Sequence, residues 1–234
     1  HPQREGEFTL SPGVQGTCLY AQHPGTTMAY RIDLQGRAIV WCPANDARPG
    51  PGGGPGHDAG KFRRLFKGRE DVYPLRWESA KGASGYAPAC GNEWRAGICH
   101  KPKVKCGDCN QRQLLPVTDR VIYDHLAGKH TAGVYPLLKD DNCFLMAADF
   151  DEADWREDAK AFLQSCQELD IPAALEISRS GNGAHAWIFF AEPVPARDAR
   201  QLGVELISHT CDRTRQLSLS SYDRLFPNQD ILPH

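Results

Sequence analysis

The order of hydrophobic patterns in the C-terminal half is the feature that most constrains the fold of this chain. Residues 143–151 are apolar enough for a buried strand, and residues 173–178 and 184–191 predict two further strands. Residues 154–169 form an amphipathic helical pattern, and Pro195 predicts the start of a second helix that ends near residue 212. The inward face of the first helix is expected to carry Trp155, Ala159, Phe162, Leu163 and Cys166. The sequence therefore predicts an α+β fold containing a split βαββα sheet with its helices on one side.

The N-terminal part of the chain predicts short strands followed by a flexible connection. Two alternating runs within residues 27–42 flank a Leu-Gln-Gly turn, as in a β-hairpin. Only Pro and Gly occupy residues 49–56, so we interpret residues 49–60 as a linker. The predicted organisation is an N-terminal short-strand segment of unknown role (1–48), this linker, and a core formed by residues 61–234.

Charge is distributed unevenly along a chain whose formal net charge is only −2. Residues 61–112 contain 12 basic and 5 acidic side chains, whereas residues 138–171 contain 3 basic and 10 acidic ones. One surface could therefore hold phosphates while another requires cations, although two oppositely charged solvated faces would give the same pattern. Between these stretches, Thr118 is expected to cap a helix that ends near residue 128, and residues 134–138 predict a strand.

Composition places the 234-residue chain among globular proteins, with 41% hydrophobic and 24% charged residues. No stretch approaches about 18 uninterrupted apolar residues, which excludes a membrane-spanning helix. No basic and then apolar leader opens the sequence, which excludes an intact signal peptide. Because the first residue is His1 rather than Met, we expect an excised fragment of a longer protein.

Nine cysteines, an odd number, include one dense cluster of four within residues 88–112, which we call the zinc knuckle. A Cys-x2-Cys pair forms a tight chelating turn, and a second pair nearby can complete a tetrahedral Zn²⁺ site. The expected ligands are Cys90, Cys99, Cys106 and Cys109. His100 could replace Cys99, because spacing does not distinguish them. With four ligands present the zinc would be structural, and this cysteine usage favours a cytoplasmic protein over a secreted, disulfide-bonded one.

Asp149 and Asp151 end the predicted buried strand of residues 143–151. Residues two apart in a strand point to the same side, so both carboxylates face one way. Two such charges repel and are hard to desolvate unless a divalent cation or a shared proton lies between them. Oxygen ligands suit Mg²⁺ or Mn²⁺. The alternative is a polar strand end that leads into a helix capped by Asp154.

The turn of residues 180–185 connects two predicted strands and contains Gly181 and Gly183. Paired glycines permit positive φ and a close approach of the backbone to a ligand, and successive amides in such a turn can bind an anion. His185 follows at the start of an apolar strand. It is either a structural histidine or, given the carboxylate pair on the preceding strand, a triphosphate contact. Residues 221–230 combine two carboxylates, an Arg and an amide pair with little regularity, as in an ordinary polar loop.

In this order the motifs resemble the archaeo-eukaryotic primase superfamily, and most closely the primase-polymerase domains of TOTE-type conflict systems and CRISPR-associated prim-pols. The resemblance extends from about residue 62 to residue 233. It rests on the zinc knuckle and on residues 68–73, 147–151, 178–185 and 222–230. The fold that it implies is a primase-polymerase catalytic core with an RRM-like split βαββα half, an N-terminal α/β half and the inserted zinc knuckle.

The resemblance also implies roles for individual residues. Asp149 and Asp151 would hold two divalent ions, with Asp223 as the third acidic ligand and Asp230 as its rival. His185 would contact the phosphates of the incoming nucleotide. The nucleotide-binding turn would further include Arg179, Ser180 and Asn182.

The activity that the resemblance implies is that of a nucleotidyltransferase, a DNA-dependent primase-polymerase that makes and extends strands on single-stranded DNA from nucleoside triphosphates. The basic stretch of residues 61–112 would bind the template, with Arg69 and Arg76 as candidate phosphate contacts. Other domains or proteins of a defence system are possible partners, and a membrane is not. Two alternatives remain: a metal-dependent nuclease that uses the same carboxylates, or a zinc-containing single-strand binding module with a silent catalytic site.

Overall fold

A computed structural model describes residues 6–11, 14–21, 27–34, 37–41, 55–151, 154–178, 181–214 and 219–232. The chain forms two compact units. The first combines residues 1–62 and 74–133, and the second combines residues 63–73 and 134–234. The predicted core of residues 61–234 is thus distributed over both units. None of the described helices is long and apolar enough to cross a bilayer.

The first unit contains an antiparallel four-stranded sheet in the order of the sequence. Its strands are β1 (Gly6–Ser11), β2 (Val14–Ala21), β3 (Thr27–Leu34) and β4 (Arg37–Trp41). Leu34 pairs with Arg37 at the end of the β3–β4 ladder, which confirms the hairpin predicted from alternation.

The helix α1 (Pro55–Leu65) begins inside the segment predicted as a linker. Proline is well suited to the first position of a helix, because its missing N–H would have no partner there and its φ is already helical. Residues 55–60 are therefore helical, and residues 49–54 lie outside the described part of the chain.

The rest of the first unit consists of short elements joined by turns. These are β5 (Pro74–Glu78), β6 (Ser84–Pro88), a short 3-10 helix (Cys106–Asp108) and α2 (Asp119–Leu126). β5 and β6 pair as an antiparallel hairpin. The Oγ1 atom of Thr118 accepts a hydrogen bond from the backbone N–H of Val121 at 3.2 Å, which confirms the predicted helix cap.

The second unit contains the pattern of strands and helices predicted from the C-terminal half. Its elements are β7 (Asn142–Asp151), α3 (Trp155–Glu168), β8 (Ala174–Ile177), β9 (Gly183–Pro195), α4 (Ala196–Arg213) and β10 (Tyr222–Phe226). They form a sheet in the order β10-β7-β9-β8, in which every neighbouring pair is antiparallel.

The hydrophobic core of the second unit lies between this sheet and the helices α3 and α4. The sheet contributes small side chains, including Ala148, Ala184 and Ala186, together with larger ones such as Met146 and Phe150. The helix α3 contributes the predicted inward residues Ala159, Phe162 and Cys166, and α4 contributes Ala199 and Leu206. Because side chains alternate along a strand, the residues between the core positions point to the other face of the sheet.

Two local predictions are wrong. Residues 222–226, expected to be part of an irregular loop, form the edge strand β10. Residues 134–138 are not a strand; the carbonyl of Tyr135 accepts one hydrogen bond from Arg69 N at 2.9 Å, and Pro136 has no N–H to extend a ladder. Asp154 occupies the N-cap position of α3 but makes no capping hydrogen bond through its side chain.

Gly68 lies against residues 134 and 135 so closely that no side chain fits there. A Cβ atom at this position would lie 2.3 Å from Val134 Cγ2 and 2.5 Å from the carbonyl oxygen of Tyr135. The second of these atoms belongs to the backbone and cannot rotate away. We therefore expect Gly68→Ala to lower the free energy of unfolding by about 1–3 kcal/mol, as overpacking does elsewhere.

Urea unfolding of purified protein would measure this difference. Gly60→Ala is the matched control, because nothing lies within 4 Å of a Cβ at Gly60, which is in α1. Alanine there should be neutral or stabilising by roughly 0.5–1 kcal/mol. Equal unfolding midpoints for Gly68→Ala and the wild type would contradict the close packing.

Candidate active site

One face of the sheet in the second unit carries a row of polar side chains, one from each strand. The register places Glu176 opposite His185, His185 opposite Asp149, and Asp149 opposite Arg224. Residues directly opposite each other in antiparallel strands have Cβ atoms about 4.5–5.5 Å apart, so these side chains are neighbours. The helices α3 and α4 pack on the other face, so the row lies on the sheet opposite the hydrophobic core.

Three carboxylates meet at one end of this row. Oxygen atoms of Asp149, Asp151 and Asp223 all lie within 4.8 Å of one another. Asp149 is half-buried, and the other two are exposed. The ladder between β10 and β7 shifts between Tyr222 and Arg224, so Asp223 is an extra residue in a β-bulge. A bulge redirects a side chain, and here it brings the third carboxylate to the face occupied by the other two.

The electrostatics of this cluster favour a bound cation. Burial raises the pKa of Asp149; the charges of Asp151 and Asp223 raise it further, while those of His185 and Arg224 oppose them. Arg224 Nε lies 2.5 Å from Asp223 Oδ2, so one guanidinium offsets part of the negative charge. Hard oxygen donors gathered in this way are the ligands that Mg²⁺ and Mn²⁺ prefer. The residues present therefore fit a divalent metal.

A buried carboxylate holds the segment that leads into β10. Asp158 Oδ2 accepts hydrogen bonds from the backbone N–H of Ser221 at 3.1 Å and from its hydroxyl at 2.7 Å. The carbonyl of Ser221 in turn accepts a bond from the backbone N–H of Asp151 at 2.7 Å. Ser221 is thus fixed from both sides, two residues before Asp223. These contacts position the third carboxylate without touching it.

Gly183 is required by the carboxylate of Asp151, its partner in the ladder between β7 and β9. A Cβ atom on Gly183 would lie 2.2 Å from Asp151 Oδ1 and 2.7 Å from the backbone oxygen of Phe150. The paired glycines were predicted to permit positive φ and a close approach of the backbone to a ligand. The structure gives Gly183 a steric role beside Asp151, and Gly181, with φ of 75°, has the left-handed backbone.

His185 lies between two acidic side chains. Its Nε2 is 3.5 Å from Asp149 Oδ1, and its Nδ1 is 3.3 Å from Glu176 Oε2. Burial by itself would lower the pKa of this imidazole, but the carboxylates of Glu176, Asp149 and Asp151 act in the opposite direction. The net pKa of His185 is raised. A protonated imidazole at this position could donate a hydrogen bond to an anionic ligand.

Asp223 and Asp230, the two candidates for the third acidic ligand, have different surroundings. Asp230 Oδ1 lies 2.7 Å from Arg200 Nε in an ion pair, and Asp230 does not belong to the carboxylate cluster. Asn182 is exposed in the turn before β9. Arg179 and Ser180, the other residues predicted to bind nucleotide, lie outside the described residues.

The two arginines considered as phosphate contacts already have acidic partners. Arg69 donates to both carboxylate oxygens of Asp71, at 2.9 and 2.7 Å, and this pairing holds the pKa of Asp71 well below its usual range. Arg76 forms an ion pair with Glu78. In each case the acidic partner already offsets part of the positive charge that a phosphate would meet.

The four cysteines of the zinc knuckle line one pocket together with His100 and Lys101. All four are reduced and half-buried. The cysteines are therefore neighbours around one pocket.

Sequence reasoning missed the residues that support the carboxylates and the histidine. Neither Glu176 nor Arg224 stood out, because single charged residues in a strand or a polar loop are common. The contact between Asp158 and Ser221 joins residues 63 apart in sequence, and no local pattern indicates it. Only the register of the strands brings these groups to the site.

The fold and the site together define the class of protein. It is a mixed α+β protein in which three aspartates could bind a divalent cation. The sequence model of one family, described as the Archaeo-Eukaryotic Primase domain of the TOTE conflict system, matches residues 58–234. The chain belongs to this family, which confirms the resemblance deduced from its motifs. No curated protein matches the chain.

Asp149→Asn should stabilise the protein in buffer without divalent cations. The folded pKa of Asp149 is raised, so the carboxyl stabilises the fold below its unfolded pKa and loses that effect as pH rises through the folded value. Near neutral pH the variant should therefore melt about 2–4 °C higher, the shift expected for roughly 1 kcal/mol in a domain of this size.

Thermal unfolding with EDTA, at about pH 7 and again at about pH 4, measures this difference and its expected decrease in acid. Added Mn²⁺ should reverse the order, because it binds the folded wild type more tightly than the variant. A lower melting temperature for Asp149→Asn in EDTA at neutral pH would contradict the electrostatic account.

Proposed function

We propose that the chain is a DNA-dependent primase-polymerase. Membership of the family indicates a nucleotidyltransferase with primase-like function. The observation that carries the finer proposal is the convergence of Asp149, Asp151 and Asp223 beside His185 on one face of the sheet. The strand order β10-β7-β9-β8 with two helices on one face supports the RRM-like interpretation of this unit.

The three carboxylates would hold Mg²⁺ or Mn²⁺. Such ions activate the attacking hydroxyl and neutralise charge on the phosphates, which is the chemistry they supply in two-metal sites. In the proposed reaction a 3′-hydroxyl, from the strand or from a first nucleotide, attacks the α-phosphate of a nucleoside triphosphate, and pyrophosphate leaves. The protein then has mainly to position the reactants and balance the charge.

His185 would bind the triphosphate. It is half-buried and lies beside the carboxylates, and its raised pKa favours a charged donor. Asn182, exposed in the preceding turn, would contribute a second donor to the nucleotide, together with Arg179 and Ser180. Arg224 would be the cation closest to the metal ligands on the β10 side.

The template would bind along the basic stretch of residues 61–112, with an affinity that falls as salt rises. The same stretch contains exposed aromatic side chains, Trp77, Tyr86 and Trp94, on which bases of a single strand can stack. The pocket shared by Cys90, Cys99, Cys106 and Cys109 supports a structural zinc ion there. A cytoplasmic location and partners from a defence system stay predictions.

Primer synthesis on single-stranded DNA tests the proposed activity. The chain is incubated with labelled nucleoside triphosphates and Mn²⁺, and new strands are resolved on a denaturing gel. Asp149→Ala and Asp223→Ala should each reduce synthesis by at least about 100-fold, because a two-metal site loses a ligand. Asp230→Ala is the matched control, since Asp230 pairs with Arg200 outside the cluster, and it should retain activity within about 2-fold of the wild type.

The other outcomes separate the competing functions. Cleavage of the template without release of pyrophosphate would indicate a nuclease that uses the same carboxylates. Strand binding without turnover, independent of divalent cations, would indicate a silent binding module. Loss of synthesis in Asp230→Ala but not in Asp223→Ala would contradict the assignment of the third ligand.

Zinc content tests the zinc knuckle. Elemental analysis of the purified chain should give about one zinc per molecule, and Cys106→Ser should lose most of it because a tetrahedral site tolerates few missing ligands. Cys211→Ser is the matched control, because Cys211 packs beside the core of the second unit. Zinc-free wild type, or equal loss in both variants, would refute the zinc site.

A further inference from the structure

Glu176 is a partly buried carboxylate with no role in the proposed chemistry. It lies on the edge strand β8, and its side chain is only 17% exposed. Its neighbours Leu175 and Ile177 pack against the helices, so Glu176 points to the face that carries the carboxylate cluster. Partial burial of a charged group is costly unless hydrogen bonds compensate for the lost water. The partners of this carboxylate are therefore informative.

Two side chains of β9 converge on one oxygen of Glu176. The indole Nε1 of Trp187 donates a hydrogen bond to Oε2 at 2.9 Å, and Nδ1 of His185 lies 3.3 Å from the same atom. The rings of Trp187 and His185 also lie against each other, with centroids 5.6 Å apart. The tryptophan thus fixes the carboxylate in place, and the carboxylate faces the histidine.

The histidine needs such a partner. Its Nδ1 is buried and has no well-aligned hydrogen bond among the described residues, so Glu176 is the acceptor within reach. The torsion that turns an imidazole about its Cβ–Cγ bond is broad and weakly restricted. Without an acceptor for Nδ1, the ring could turn and withdraw Nε2 from Asp149.

We propose that Glu176 is a positioning residue that orients His185. Nδ1–H of His185 points to Glu176 Oε2, and Nε2 is thereby directed toward Asp149 and the place of the incoming triphosphate. The choice of ring nitrogen that faces a ligand is commonly set by the hydrogen bond that the other nitrogen makes. The inference rests on the proposed function for its consequence in catalysis, but the orientation of the ring is independent of it.

The direct test observes the ring of His185 by NMR in protein labelled with ¹⁵N at histidine. The resonances of His185 are assigned from their absence in His185→Ala. Glu176→Ala should change the Nδ1 signal, because its hydrogen-bond acceptor is gone, whereas Glu176→Gln keeps an acceptor oxygen and should preserve the wild-type pattern. Ring signals in Glu176→Ala that match the wild type would overturn the proposal, whether or not the chain makes primers.

The kinetic test asks whether Glu176 acts through His185. In primer synthesis, Glu176→Ala should lower kcat/KM for the nucleotide on the order of 10-fold to 100-fold, the range seen when residues that orient active-site ligands are removed. Glu176→Gln should recover most of this loss. In the His185→Ala background, Glu176→Ala should have no further effect, and additive losses would overturn the proposal.

Two controls separate positioning from general stability. Trp187→Phe removes the indole donor and leaves both Glu176 and His185, so a purely structural role in holding Trp187 predicts the same loss as Glu176→Ala. The positioning role predicts a smaller loss in Trp187→Phe. Glu192→Gln changes an exposed acidic residue of β9, the strand that carries His185, and should match the wild type in both measurements.

Discussion

The antiparallel pairing of β9 with β7 on one side and β8 on the other is the constraint on which the site depends. Side chains alternate along each strand, and a shift of the pairing by one residue would exchange its two faces. The observed register aligns Glu176, His185 and Asp149, while Ala184 and Ala186 enter the core behind them. The register of these strands therefore determines both the hydrophobic packing and the order of the charged side chains across the site.

The three carboxylates repel one another, and contacts with residues outside the cluster keep them close together. Asp151 occupies space that only a glycine at position 183 leaves open, and Ser221 is bonded to both Asp158 and the backbone of Asp151. None of these supports binds a ligand in the proposed reaction. They make the positions of the carboxylates a property of the folded chain, so a cation would find its ligands already arranged, and little reorganisation would be required.

Much of the second unit could be predicted from sequence because its signals are local. Helical spacing and alternation identified β7, α3, β8, β9 and α4, and alternation alone placed Asp149 and Asp151 on one face. The edge strand β10 was missed because its five residues contain a bulge, which breaks the alternation at Asp223. For the same reason spacing did not separate Asp223 from Asp230. The proposed role of Glu176 depends on which residues lie opposite each other in neighbouring strands. A local sequence pattern contains no information about that pairing.

The small residues of the core explain how this register is maintained. Ala148, Ala184 and Ala186 belong to the core between the sheet and the helices. Gly203 of α4 approaches Leu225 and Met146 so closely that a Cβ atom would lie 2.6 Å from Leu225 Cδ1. Closely packed interiors resist shear, because sliding one strand would force side chains into their neighbours. The charged side chains keep their spacing only if the strands do not shift. The packing on the opposite face of the sheet prevents such a shift. Part of the precision at the site thus comes from the packing of groups that carry no charge.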